Sequence, residues 1–291
     1  MRRSLGFWVI TALGLAFSLG AGRPGSLARQ ATGDGQKLTE LLERAKVYCL
    51  KLEGAALDFT CLEQIQEKTY RLSDNRPDTI IDSYGRLGFT YKAPEAPPVS
   101  HKYVYDYQFV RKGDRKIERR TLIGEDGRKK KENDAALETT NVRVENALFG
   151  PIGLVGRDAQ AQHDYKIVGV EILAGTRVTI IEAVPKVLHD SRHCFGRLWL
   201  REDEGSVVKI SWDQASVGNF QIIQDRAREL HAEPQLTSVT EYGLEKNGLR
   251  FPSKDTTEEA YLKPGEKYVR SMTTILYTDY KFFTVETEIR Y

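Results

Sequence analysis

The sequence lacks any apolar run of the roughly 20 residues that a membrane-spanning helix needs, and it lacks an excess of either charge. Its 291 residues carry 43 Lys+Arg against 41 Asp+Glu. The main apolar stretch, Leu5 to Leu19, is only about 15 residues long, too short for a stable anchor. It follows a basic head, Met1-Arg2-Arg3, and ends at Ser18-Leu19-Gly20, small residues at plausible cleavage positions. The expectation is an export signal over residues 1–22 that is removed, leaving a periplasmic or secreted bacterial protein. Arg2-Arg3 leaves twin-arginine export open, although the flanking residues match that signal poorly. No cysteine follows the apolar run closely, so lipid attachment there is not expected.

Without Arg2 and Arg3 the cations fall to 41, equal to the 41 anions. A neutral chain lacks the clustered, uncompensated cations on which polyanion binding rests, so nucleic acid is not an expected partner. Arg128-Lys129-Lys130-Lys131 is a local exception and reads as a solvated turn.

Signatures of catalysis are also missing. There is no Gly-x-Ser-x-Gly elbow. Gly150, Gly153 and Gly156 have no lysine-serine or lysine-threonine pair to complete a phosphate cradle, and Gly33-Asp34-Gly35 lies in a stretch that reads as linker. Glu258 and Glu259 point to opposite faces of a strand. His189, His193 and Cys194 have spacings seen in zinc sites, but the segment follows Pro185 and reads as a loop between strands, with no second ligand cluster. Neither catalytic residues, metal nor cofactor are expected. A metal-dependent enzyme using His189 and His193 is the weakest of the readings retained.

Only three cysteines are present. Leu38, Leu41, Leu42, Ala45, Cys49 and Leu52 recur at three- and four-residue steps, which predicts an amphipathic helix over Gln36–Glu53. Leu57, Phe59, Cys61 and Ile65 share one face of a following strand. Both thiols therefore point inward. A Cys49–Cys61 bridge in the oxidising compartment is expected over two reduced core cysteines, and it would add on the order of 3 kcal/mol by closing a short loop.

From residue 100 onward the pattern is strand after strand. Tyr103, Tyr105, Tyr107 and Phe109 alternate with polar neighbours, giving one aromatic face. Further strands are predicted over Arg115–Ile123, Tyr165–Leu173, Thr176–Val184, Gly196–Arg201, Val207–Trp212, Gln235–Leu244, Leu249–Tyr261 and Lys267–Tyr291, the last broken near Thr278-Asp279-Tyr280. Short turns such as Ala174-Gly175, Asp203-Glu204-Gly205 and Asn247-Gly248 leave no room for helical crossovers, so the pairing is antiparallel. Besides the first helix, only Pro151–Gln160 and Ile222–Leu230 look helical. So few helices cannot cover both faces of so large a sheet, which must curl around either a packed core or a hollow. The fold class is mainly β (α+β): one domain over residues 36–291, preceded by a flexible linker over 23–35.

The hairpin Gly196-Arg197-Leu198-Trp199-Leu200-Arg201-Glu202-Asp203 with Val207-Val208-Lys209-Ile210-Ser211-Trp212 resembles the central hairpin of the LolA/LolB-like outer-membrane lipoprotein carriers. Leu249-Arg250-Phe251-Pro252 and Tyr277-Thr278-Asp279-Tyr280-Lys281 resemble the late strands of that superfamily. The resemblance implies an unclosed antiparallel β-barrel with an N-terminal helix. It also implies a helical lid over the hollow, here Ala147 to Val155. The strand arginine that ties the lid shut in those carriers has no evident counterpart. The implied partner is a lipid or acylated lipoprotein, with a membrane delivery complex as a further one. The candidate lining is Tyr103, Tyr105, Tyr107, Phe109, Val178, Ile180, Leu198 and Leu200, with Phe149, Ile152 and Leu154 from the lid. The alternative is a periplasmic protein-interaction or sensor module of the same fold with a filled core.

Overall fold

The computed structural model describes residues 25–55, 59–70, 79–81, 87–89, 97–112, 115–139, 149–173, 175–187, 195–218 and 220–283. The expected signal peptide, Leu57, and the His189, His193 and Cys194 candidates lie outside them. No helix among the described residues is long and apolar enough to cross a membrane.

Helix α1 (Gly25–Ala55) leads into β1 (Phe59–Thr69), and a small hairpin, β2 (Thr79–Ile81) with β3 (Leu87–Phe89), follows. Next come β4 (Val99–Lys112), β5 (Arg115–Glu125), β6 (Arg128–Asn133), and helices α2 (Gly150–Val155) and α3 (Arg157–Gln162). The chain continues through β7 (His163–Leu173), β8 (Thr176–Pro185), β9 (Gly196–Arg201), β10 (Val207–Trp212), α4 (Phe220–Glu229) and β11 (Glu233–Glu241). It ends with β12 (Leu244–Lys246), β13 (Leu249–Phe251), β14 (Lys254–Lys263) and β15 (Glu266–Phe282).

Eleven strands form one sheet in the order β6-β5-β4-β1-β15-β14-β11-β10-β9-β8-β7. Every pairing in it is antiparallel. The sheet is curved and unclosed, with β6 and β7 as its two edges. β15 is fifth in that order, bonded to β1 on one side and to the central strand β14 on the other.

Helix α1 lies on the concave face because its apolar stripe has nowhere else to be buried. Leu41, Ala45, Tyr48, Cys49 and Leu52 join Phe59, Ile65, the β4 aromatics, Leu198, Leu200 and Ile275 in a single core. Two hydrogen bonds lock Tyr48 to β13: its hydroxyl accepts from the Arg250 N–H at 2.9 Å and donates to the Arg250 carbonyl at 3.4 Å. Helix α4 covers a second, smaller cluster of Ile223, Ala227, Leu236 and Tyr261.

Several expectations are corrected. The helix begins at Gly25, so it runs through most of the stretch read as a flexible linker over 23–35. Arg128 to Lys131 is strand, not turn: the reversal lies at Asp126-Gly127, where φ values of 46° and 80° suit a tight hairpin, and the cations continue into β6. Leu249–Tyr261 divides at Pro252-Ser253 into β13 and β14, so the Asn247-Gly248 turn closes its own two-stranded sheet. The expected break near Asp279 is a bulge: β15 continues, Asp279 adopts φ 51°, and the register against β1 shifts between Thr60 and Leu62.

Candidate functional site

Tyr103, Tyr105, Tyr107 and Phe109 all point into the concave face and are buried there, as their alternation predicts. Two of the hydroxyls are tied down. That of Tyr105 donates to the Ala136 carbonyl at 3.3 Å and accepts from the Glu138 N–H at 3.1 Å, and that of Tyr107 donates to Glu118 at 2.9 Å. Leu198 and Leu200 face the same core from β9.

Val178 and Ile180 do not. The register sets Val178 opposite Arg201 and Ile180 opposite Trp199, so both share the convex side with Trp199 and Leu173. Thr179 and Ile181, opposite Leu200 and Leu198, take the inward positions instead. The segment is apolar on both faces, and only its pairing with β9 decides which residues turn inward.

The residues read as a lid form α2, a six-residue helix with Pro151 in its first turn. Leu154 and Val155 are fully buried, and Phe149 and Ile152 half-buried, against the concave core. Phe149 meets Phe109 edge-to-face with centroids 4.5 Å apart. Polar clasps among the described residues are few. The Tyr165 hydroxyl donates to the Leu154 carbonyl at 2.6 Å, and the Gln160 amide donates to the carbonyls of Val155 at 2.8 Å and Leu42 at 2.7 Å.

The floor of the concave face also carries a buried polar stripe that the sequence reading missed. Glu63 on β1 receives Arg120 of β5 through two hydrogen bonds of 2.6 and 3.1 Å, and Glu118 accepts from Arg120 at 2.7 Å. The Tyr277 hydroxyl donates to Glu63 at 3.1 Å. Burial raises the Glu63 pKa, an effect that Arg120 only partly offsets.

On β14, Asp255 and Glu259 make an instructive contrast. Glu259 accepts from Arg226 at 2.5 Å and Arg270 at 3.0 Å. Burial would raise its pKa, yet the Tyr261 hydrogen bond and the two guanidinium charges hold it below its ordinary value. Among the described residues Asp255 has hydroxyl donors only, Thr240 at 2.5 Å and Thr257 at 3.5 Å, and burial pushes it up to about 6.

The expected Cys49–Cys61 bridge is absent: both are separate, buried thiols. Both face the interior but at different places, Cys49 near Tyr165 and Cys61 hydrogen-bonded to Tyr280. Burial raises both thiol pKa values, that of Cys49 to about 12. Among the described residues no group of histidine, cysteine and carboxylate side chains is arranged to hold a metal.

A cleft of about 660 Å³ opens between α1, the turn after β9 and the β12–β13 hairpin. Val47, Tyr48 and Leu249 supply its apolar lining, and Glu43, Arg44, Lys51, Asp203 and Glu204 its charged wall. Its volume falls within the usual range for small-molecule sites.

No protein-family model matches the sequence, and no curated protein matches it significantly. Among solved structures, the chain is similar to a DUF1329 family protein from Desulfovibrio piger, with 9% identity, 83% of this chain and 92% of the other covered, and a TM-score of 0.39. It is similar to a LolA superfamily protein from Nitrosomonas europaea, with 12% identity, 85% and 94% covered, and a TM-score of 0.36. It is also similar to a chain of the Pseudomonas aeruginosa MucA/MucB complex, with 10% identity, 87% and 100% covered, and a TM-score of 0.21.

Proposed function

We propose that the chain is an exported, non-catalytic binding protein of the bacterial cell envelope that holds the acyl chain of a lipid or lipoprotein between its curved sheet and α2. The observation that carries this reading is the character of α2 as a cover: short, apolar, seated by Leu154 and Val155, and clasped by few hydrogen bonds among the described residues. Lifting it would uncover Phe109, Tyr165 and Ile210.

Magnitudes favour a long chain as the exchangeable occupant. A fully buried aliphatic or aromatic side chain contributes about 1.5–3 kcal/mol, so two fully and two half-buried ones contribute on the order of 5–9 kcal/mol. Ten or so methylenes at about 0.8 kcal/mol each replace that burial, whereas a small polar ligand does not.

Native mass spectrometry of the mature protein after mild extraction tests the proposal, together with titration by a fluorescent fatty acid. One bound lipid per chain and saturable fatty-acid binding are expected. Apoprotein alone, with no fatty-acid binding, would overturn the reading. The Glu63–Arg120 and Asp255 stripe favours the second reading, a protein-interaction module with a filled, polar-floored core.

A further inference from the structure

The two edges of the sheet are treated in opposite ways. β6 presents Arg128, Lys129, Lys130 and Lys131, all exposed, and such a row of cations repels an incoming strand. β7 is eleven residues long and presents exposed apolar side chains instead: Val168 is 40% exposed, Val170 43% and Ile172 68%. Among the described residues no strand bonds to its outer side. An edge of this kind is a template for strand addition.

Its own sequence is the complement it fits. The bulge between Ile167 and Gly169 changes the parity of β7, so residues on either side of it face together in an unusual combination. Tyr165 and Ile167 face the concave side, as do Val170 and Ile172, opposite Thr179 and Arg177. Lys166 lies opposite Glu182, and Glu171 opposite the convex Val178, so both face the convex side. An antiparallel twofold pairing of two copies that sets Lys166 against Glu171 also sets Ile167 against Val170 and Tyr165 against Ile172. Each facing pair then lies on one side of the joined sheet, as antiparallel geometry requires. Two ion pairs form by symmetry, and the exposed apolar residues are covered. Glu171 keeps its bond from the Trp199 indole N–H through Oε2, which leaves Oε1 for the lysine.

We infer that β7 is a self-association edge at which two copies join their sheets through the Lys166–Glu171 register. Sedimentation velocity of the full chain across a concentration series reads this directly. A reversible dimer is expected below roughly 100 µM. Lys166→Glu makes both facing positions acidic and Glu171→Lys makes both basic, so each alone weakens the dimer about tenfold or more. Mixing the two variants is expected to restore a dimer containing one copy of each. Ile172→Arg, at an exposed position that perturbs no core, is expected to dissociate the dimer without lowering stability. A wild-type chain that stays monomeric at that concentration overturns the inference. So does a dimer indifferent to the charge reversals, which would place the interface elsewhere.

Discussion

Replacing Asp255 by asparagine should stabilise the protein at neutral pH and leave it nearly unchanged in acid. The side chain is 1% exposed, and its neighbours are the hydroxyls of Thr240 and Thr257, with no cation in contact among the described residues. Burial raises its pKa from 3.8 to about 6. Below the lower value the group is neutral in both folded and unfolded chains and carries no ionisation penalty. Between the two values the unfolded chain releases its proton first, so stability falls as pH rises. Above about 6 the fold holds a buried carboxylate, and at about 1.36 kcal/mol per pH unit over that interval the accumulated loss is about 3 kcal/mol. The asparagine amide carries no charge but keeps an oxygen for the Thr240 hydroxyl, so Asp255→Asn should recover most of that loss. Urea unfolding of both chains from pH 4 to pH 8 tests this: the gap should open between pH 4 and pH 6 and be flat above. A gap independent of pH, or one of opposite sign, would refute the assignment.

Arg120→Met strands Glu63 and Glu118 in the core and should cost about 3–5 kcal/mol, read as a lower urea midpoint. Adding Glu63→Gln should return part of that loss, because the stranded charge is then removed. The intact mass of the chain should be the same with and without reductant, whereas a bridged Cys49–Cys61 pair would make it about 2 Da lighter. Glu202, whose pKa hydrogen bonds from Lys37, Thr179 and Arg177 lower to about 2, stabilises the fold above its ordinary value and loses that contribution as pH falls towards 2. Since Glu202 is partly exposed, Lys37→Met should cost under about 1 kcal/mol but speed amide exchange in α1 around Lys37.

How much of this was legible in the sequence depended on whether the deciding contact was local. The β9–β10 hairpin, with its glycine start and acidic turn, was read to the residue, because turn chemistry and alternation lie within one short segment. The inward row from Tyr103 to Phe109 was legible for the same reason. Val178 and Ile180 were not, because Val178 to Ile181 is buried on both faces and alternation carries no information there. The polar stripe escaped because Glu63 and Arg120 meet across 57 positions of sequence, and each alone reads as a surface charge. A hint was present: Glu63 and Glu67 keep the two-residue period of Cys61 and Ile65. The cysteines were placed on the correct faces, yet where α1 crosses the sheet sets their neighbours, and no local pattern encodes that crossing.

The seating of α1 can itself be tested at one position. Gly205 ends the acidic turn with φ 70°, and a Cβ there would lie 2.6 Å from both the Ala45 nitrogen and the Arg44 carbonyl carbon. These are backbone atoms of α1, held to the same turn by Lys37 to Glu202 at 2.8 Å, so neither side can swing away. Gly205→Ala therefore combines the strain of a left-handed alanine, about 1 kcal/mol, with overpacking of about 1–3 kcal/mol. Gly175 and Gly248 share the left-handed backbone, at φ 80° and 72°, but have open space around the added carbon. Gly175→Ala and Gly248→Ala should thus cost only the backbone strain, about 1 kcal/mol each. The difference between Gly205→Ala and these two isolates the helix-on-turn contact from conformational strain. Equal losses at all three positions would mean that α1 does not rest on the turn after β9, and the cleft beside it would lose its wall.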